Sequence, residues 1–161
     1  MSDSSRGAAE RSATFQQGME ARKEVLGDRH VERSMSRVSE FSEPMQRLVT
    51  EHAWGDIWTR EGLDRRTRSL LNLGMLTAMN RMHEFAVHVR GAVRNGCTEQ
   101  EIQEVLLQTA VYCGAPAALE SFRVAESVLG EMADDERAAS WSHDGQPATL
   151  PGRTRSREQG V

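Results

Sequence analysis

Between residues 18 and 131 the apolar positions recur at three- and four-residue intervals, and strand-like alternation is nowhere sustained. A period near 3.6 is that of an α-helix with one face in a core, whereas strict alternation marks a strand. Met19 to Leu26 predicts a short amphipathic helix stopped by Gly27. Ser42-Glu43-Pro44 is a helix start with proline in the first turn, and Met45, Leu48, Val49, His52, Ala53 and Ile57 carry the pattern on until Gly62 breaks it. Asp64 can cap the next helix, which runs to about Asn80. That segment is apolar nearly all round after Ser69, so it is expected to lie centrally. A further helix spans about Met82 to Asn95, with Gly96 as its stop. Thr98-Glu99-Gln100-Glu101 has the form of a capping box ahead of a buried stripe of Ile102, Val105, Leu106, Thr109, Ala110 and Cys113. Gly114 ends it, and Pro116 opens a last helix carrying Leu119, Phe122, Ala125, Val128 and Leu129. The pattern predicts an all-α bundle with short loops, whose apolar faces exceed what one small core can hide, so oligomerisation is expected.

The ionisable residues change the picture at one place. Arg81, Glu84 and His88 fall at i, i+3 and i+7, one side of a helix, and the pattern assigns Phe85 and Ala92 to that side too. A cation, a carboxylate and an imidazole on a half-apolar face are costly to bury without a partner or a task. The competing reading is a plain Glu84–His88 helix pair on a solvated face, worth a few tenths of a kcal/mol.

At 161 residues the chain is one domain's worth, and its formal charge of −4 with mixed signs gives no nucleic-acid footprint. No apolar run approaches a membrane span, and the polar N-terminus lacks a signal-peptide core, so a cytoplasmic protein is expected. Cys97 and Cys113 are not spaced as a redox or metal pair and read as reduced, small, buried residues. Residues 1–17 and 132–161 lack sustained apolar periodicity and are expected to be flexible tails around a helical domain at 18–131. Trp141 is the one aromatic residue of the second tail and a candidate for docking on the core or a neighbouring subunit. Arg65, Arg66 and Arg68 form a basic run at a helix start, where positive charge opposes the helix dipole; a solvated or subunit-interface role is expected ahead of catalysis, with an external partner such as a carboxylate across an interface to compensate.

Several segments together resemble the carboxymuconolactone decarboxylase family, part of the wider alkylhydroperoxidase D-like superfamily of helical proteins. They are Gly18 to Gly27, His30-Val31-Glu32-Arg33-Ser34, Ala53-Trp54-Gly55-Asp56-Ile57-Trp58-Thr59-Arg60, Asn80-Arg81-x-x-Glu84-x-x-x-His88, and Tyr112-Cys113-Gly114-Ala115-Pro116-Ala117-Ala118. The superfamily pattern C-x-x-C-x-x-x-H falls on Arg81, Glu84 and His88, so both thiol positions are replaced and only the histidine is kept. Disulfide exchange then has neither a nucleophile nor a resolving partner at that place.

The resemblance implies an alkylhydroperoxidase D-like helical bundle, assembled as a hexamer built from dimers, that decarboxylates 4-carboxymuconolactone in aromatic-compound catabolism. The substrate is a butenolide whose lactone carbonyl, conjugated through the C=C, is its own electron sink. No cofactor is therefore expected, and the chain has no cofactor-binding glycine motif or tight cluster of metal ligands. The site needs cations for two carboxylates, a donor for the lactone oxygen, and an acid to protonate carbon. On the family-like positions, Arg81 is the first choice to bind the substrate by its guanidinium fork. His88 is the donor or acid, and Glu84 orients the imidazole or, if burial raises its pKa, serves as the acid. His30 and Arg33 are candidates for a second carboxylate clamp, expected to be mobile unless another subunit covers them. Trp54, Phe85 and Tyr112 are candidate wall residues, with core or interface packing as the alternative for Trp54 and Tyr112, as for Trp58. Two rival functions stand beside this one: a thiol redox protein of the alkylhydroperoxidase D type, and a non-catalytic helical oligomerisation module of the same fold.

Overall fold

A computed structural model describes residues 12–143, and all regular structure among them is helical. Residues 1–11 and 144–161 of the expected tails lie outside the described residues, as does the side chain of Trp141. The elements are α1 (Ala13–Leu26), α2 (Asp28–Met35), α3 (Glu43–Leu48) continued by a π-helical segment (Val49–Ile57), α4 (Arg65–Ala78), α5 (Met82–Arg94), α6 (Glu99–Cys113) and α7 (Ala115–His143). Among the described residues no helix is long and apolar enough to cross a membrane.

The punctuation follows local chemistry. Asp64 accepts a hydrogen bond from the Thr67 amide at 2.7 Å and opens α4. The capping box at Thr98 is formed from both sides: Thr98 Oγ1 accepts from the Glu101 amide at 3.2 Å and Glu101 Oε2 from the Thr98 amide at 2.9 Å. Gly27, Gly96 and Gly114 follow the ends of α1, α5 and α6 with φ of 88°, 85° and 109°, which glycine adopts without a Cβ penalty. Asn80, at φ 54°, takes the same left-handed turn between α4 and α5.

Four expectations need correction. α1 begins at Ala13, capped by Ser12 Oγ, earlier than the apolar pattern indicates. The segment holding His30 and Arg33 is a helix, α2, anchored by fully buried Val31. α7 continues past residue 131 to His143. α4 is not central: it buries Ser69, Leu73 and Thr77, while Leu71, Met75 and Met79 are at least half exposed. The small polar residues of α4 can face inward because partners meet them there. Asn95 Nδ2 donates to Ser69 Oγ at 2.9 Å and Ser121 Oγ to Thr77 Oγ1 at 3.0 Å.

Two apolar clusters organise the molecule. Leu73, Phe85, Val89, Ala92, Ile102 and Leu106, with Ala125 and Val128, join α4, α5, α6 and α7. Val25, Leu26, Val31, Trp54 and Trp58 join α1, α2 and the π segment. α5 stands between them. Phe85, Val89 and Ala92 point into the first cluster and Val87 packs on the second.

Within the second cluster, α1 and the π segment touch where side chains are missing. A Cβ at Gly18 would lie 2.1 Å from the Thr50 carbonyl oxygen, and one at Gly55 would lie 2.6 Å from that of Thr14. α1 therefore packs on the π segment backbone to backbone. The basic run is compensated within the chain: Arg65 pairs with Glu24, Arg66 with Glu101, and Arg68 donates to the carbonyls of Leu63 and Arg60.

Candidate active site

A cleft of about 600 Å³ opens between α1, α2 and the α3–π arm on one side and the start of α5 on the other. His88 sits on its floor. The ring lies nearly parallel to the indoles of Trp54 (centroids 6.2 Å apart, 5° between planes) and Trp58 (6.1 Å, 15°), which themselves stack at 5.0 Å. Both tryptophans are buried. Trp54 lies in the π segment and Trp58 caps it, with the Trp58 N–H bonded five residues back to the Ala53 carbonyl at 3.0 Å, and their i, i+4 spacing puts the two indoles on one side.

The imidazole is neutral in this setting. Burial, then repulsion from His30, pushes its pKa from 6.5 to about 4, against a smaller upward pull from Glu84. Its Nδ1 is buried with no hydrogen-bond partner, so Nε2 is the ring nitrogen left to serve the cleft. A proton on Nε2 turns the ring into a donor toward a ligand and leaves only a lone pair unpaired at Nδ1.

The walls are rich in arginine and histidine. His30, Arg33 and Arg37 line the cleft from α2 and just beyond it, His83 from α5, and Arg22 from α1. Burial pushes His30 below its ordinary pKa, followed by the positive charges of Arg22, Arg33, His83 and Arg94. Glu84 is the one carboxylate among the lining residues, and it is exposed.

Five of the eight residues singled out in the sequence, His30, Arg33, Trp54, Glu84 and His88, thus line a single cleft. Arg81, Phe85 and Tyr112 do not. α5 starts at Met82, so Arg81 stands in the cap position with φ −100° and ψ 69°, off the helical register that would align it with Glu84, and its side chain is exposed. Tyr112 is 81% exposed near the end of α6. Phe85 and Ala92 are also separated from the Glu84–His88 side, since they enter the other cluster. Glu84 lacks the burial on which an acid role was conditioned.

Arg22 escaped the sequence reading altogether. It follows Gly18 by one turn and precedes Val25 by three residues, on the face that α1 buries. A charged residue inside a buried stripe was the available signal.

The cysteines are apart in role from this site. Cys97 is buried under the first cluster, donates to the Arg66 carbonyl at 3.6 Å, and has its thiol pKa pushed up by burial. Cys113, the last residue of α6, is exposed, contrary to expectation.

Comparison with known proteins bears on what the cleft does. Residues 43–127 match the sequence model described as the carboxymuconolactone decarboxylase family. The chain is 44% identical over 120 residues, 74% of its length and 84% of the relative's, to the nitrosuccinic acid decarboxylase npaB of Metarhizium robertsii. It is 38% identical over 118 residues, 73% of its length and 88% of the relative's, to the 4-carboxymuconolactone decarboxylase of Acinetobacter baylyi. A Pseudomonas putida 4-carboxymuconolactone decarboxylase is 40% identical over 42 residues, 26% of this chain and 88% of the relative.

Proposed function

Because the chain belongs to the carboxymuconolactone decarboxylase family, we propose that it removes CO2 from 4-carboxymuconolactone without a cofactor, giving 3-oxoadipate enol-lactone in protocatechuate breakdown by the β-ketoadipate pathway. The observation that carries this reading is a neutral histidine against two indoles at the floor of a cation-lined cleft. The substrate loses the carboxylate on its saturated ring carbon. The electron pair of the broken C–C bond moves through the C=C into the lactone carbonyl, and the resulting oxyfuran anion takes a proton on the carbon beside that carbonyl. Apolar walls at Trp54 disfavour a carboxylate and favour its departure as uncharged CO2. The Nε2–H of neutral His88 donates to the oxygen on which charge develops, where a donor already held in place acts most strongly. Water entering the cleft beside exposed Glu84 supplies the proton to carbon, Arg33 attracts the dianion, and His30 offers it a hydrogen bond.

A second substrate has support of its own, because the nitrosuccinic acid decarboxylase is the more identical of the two nearly full-length relatives. Nitrosuccinate also carries two carboxylates, one on the carbon bearing the nitro group. Loss of that one places the electron pair on the nitro oxygens, the same demand on His88. The test is CO2 release and loss of ultraviolet absorbance when purified protein meets 4-carboxymuconolactone, with nitrosuccinate assayed in parallel. His88→Gln is expected to lower kcat by about 100-fold or more, the scale of losing one such donor. Release from nitrosuccinate alone would move the substrate to the nitro acid, and near-normal turnover in both His88→Gln and Glu84→Gln would remove this cleft from the reaction.

The rival readings have less behind them. A thiol redox protein finds its one buried cysteine held in the less reactive thiol form. Self-association is supported by Leu71, Met75 and Met79 on α4 and Val111 on α6, apolar residues that one chain leaves exposed. Light scattering is expected to give a multiple of the 18.0 kDa chain mass, and a monomer would end that expectation.

A further inference from the structure

Arg22 is the one charged side chain in the buried set, with 7% of its surface exposed. Nη1 donates to Gln46 Oε1 at 3.1 Å, and at longer range to Thr50 Oγ1 at 3.5 Å and Met35 Sδ at 3.8 Å. Nη2 donates to Ser34 Oγ at 3.2 Å, and Nε is buried without a partner. All of these acceptors are neutral. They orient the guanidinium but do not balance its charge, and no carboxylate among the described residues pairs with it. Arginine keeps its proton when buried, so the charge stays and asks for a counter-ion.

The fold places this cation deliberately deep. Gly18, one turn earlier on α1, brings the helix against the Thr50 carbonyl, and that close approach carries Arg22 below the surface. The cleft is its open side. At this end the neighbours are Ser34, Gln46 and Thr50, whereas at the His88 end they are indoles. One end suits a charge that stays and the other a charge that leaves.

We propose that Arg22 is the receptor for the carboxylate the substrate retains, so that the cleft selects small dicarboxylates and turns the departing carboxylate toward Trp54 and His88. This rests on the decarboxylase reading given above and adds to it the residue that sets orientation. A guanidinium held by Ser34 and Gln46 is already ordered before the ligand arrives, so little rotamer freedom is lost on binding. Arg33 and Arg37 are exposed at the rim and act at longer range, where salt screens them.

Succinate, which has two carboxylates and no electron sink, is the probe, with butyrate as its single-carboxylate counterpart. Calorimetric titration at fixed salt is expected to show succinate binding far tighter than butyrate. In Arg22→Met that preference falls by about 30-fold or more, the lower range for truncating one member of a buried charge pair. Arg22→Lys recovers part of it. With the reactive substrate, Arg22→Met raises KM more than it lowers kcat, since His88 is untouched. No succinate binding by the wild type, equal binding of butyrate, or a folded Arg22→Met variant within about threefold of wild type overturns the receptor. Should Arg22→Met fail to fold, the wild-type Arg22 Nε–H resonance is followed by nitrogen-15 spectroscopy, and its failure to move at saturating succinate overturns the proposal equally. The two readings fail separately. A wild type that releases CO2 while Arg22→Met binds succinate normally loses only the receptor. One that binds succinate through Arg22 but releases no CO2 from either substrate loses only the reaction.

Discussion

The two sides of α5 follow different rules. Toward α4, α6 and α7, the buried polar groups find partners: Ser69 meets Asn95, Thr77 meets Ser121, and Thr109 Oγ1 donates to the Val105 carbonyl at 2.7 Å. Toward α1, α2 and the π segment, two buried polar nitrogens, Arg22 Nε and His88 Nδ1, have none. Unpaired buried groups cost stability, so a chain that satisfies one side and leaves the other unsatisfied has put stability and chemistry in different places.

The comparison breaks most forcefully at Phe85. It is fully buried in the α4–α7 cluster, and Phe85→Ala is expected to cost about 3 to 5 kcal/mol. Chemical denaturation checks the loss, and KM measured on the remaining folded protein should change little. A large KM change with little loss of stability would show that the two sides are not separable.

Next in size is a pH effect from the cleft. The folded-state pKa of His88, about 4, lies below its ordinary 6.5, so between those values the unfolded chain takes up a proton that the folded chain refuses. The contribution is fully present above pH 6.5 and is lost as pH falls through that value toward 4, amounting to about 3 kcal/mol at most for a shift of this size. His30, shifted in the same direction, adds with the same sign. Urea midpoints of wild type and His88→Gln from pH 7.5 to 4 should converge as the pH falls. Parallel curves would mean that the buried imidazole is not held neutral.

The finest test uses two glycines. At Gly18 a Cβ meets the Thr50 backbone, and Gly18→Ala is expected to cost about 1 to 3 kcal/mol, with a larger loss of kcat/KM as α1 shifts. At Gly74 the nearest atoms are Val105 Cγ1 at 3.7 Å and Thr109 Oγ1 at 3.6 Å, ordinary contacts, so Gly74→Ala is expected to stabilise α4 by roughly 0.5 to 1 kcal/mol. Equal outcomes in the two thermal melts would undo the contrast.

The regular side was the more legible in sequence, and for a physical reason. Asp64, Thr98 and Glu101, and the glycines at 27, 96 and 114 act on their own few residues, so their effects can be read without neighbours. What distant contacts decide was not readable. α2 is held by Val31 in a core drawn from α1 and the π segment, and its eight mostly polar residues offer only Val31 and Met35 as apolar signals. Which side of α4 goes inward depends on Asn95 and Ser121 meeting Ser69 and Thr77, so counting apolar residues pointed the wrong way. Glu84 and His88 were found because they share a helix, whereas Arg81 was misaligned by the single residue between cap and helix. Arg22 needed the packing of Gly18 to be recognised as buried at all.

The close approach of α1 to the π segment also bears on how such a protein can diverge. The stretch matched by the family model, 43–127, contains Trp54, Trp58, Glu84 and His88 but begins after α1 and α2. Arg22, His30 and Arg33 all lie ahead of it: Arg22 on α1, which glycine contacts press against the matched stretch with no room for a side chain, and His30 and Arg33 on α2, which Val31 anchors. On the roles proposed above, the residues that meet the ligand first and the residue that meets the departing carboxylate lie in separate stretches of the chain. Substitutions within residues 13–35 then alter ligand preference while the stretch that carries His88 stays as it is.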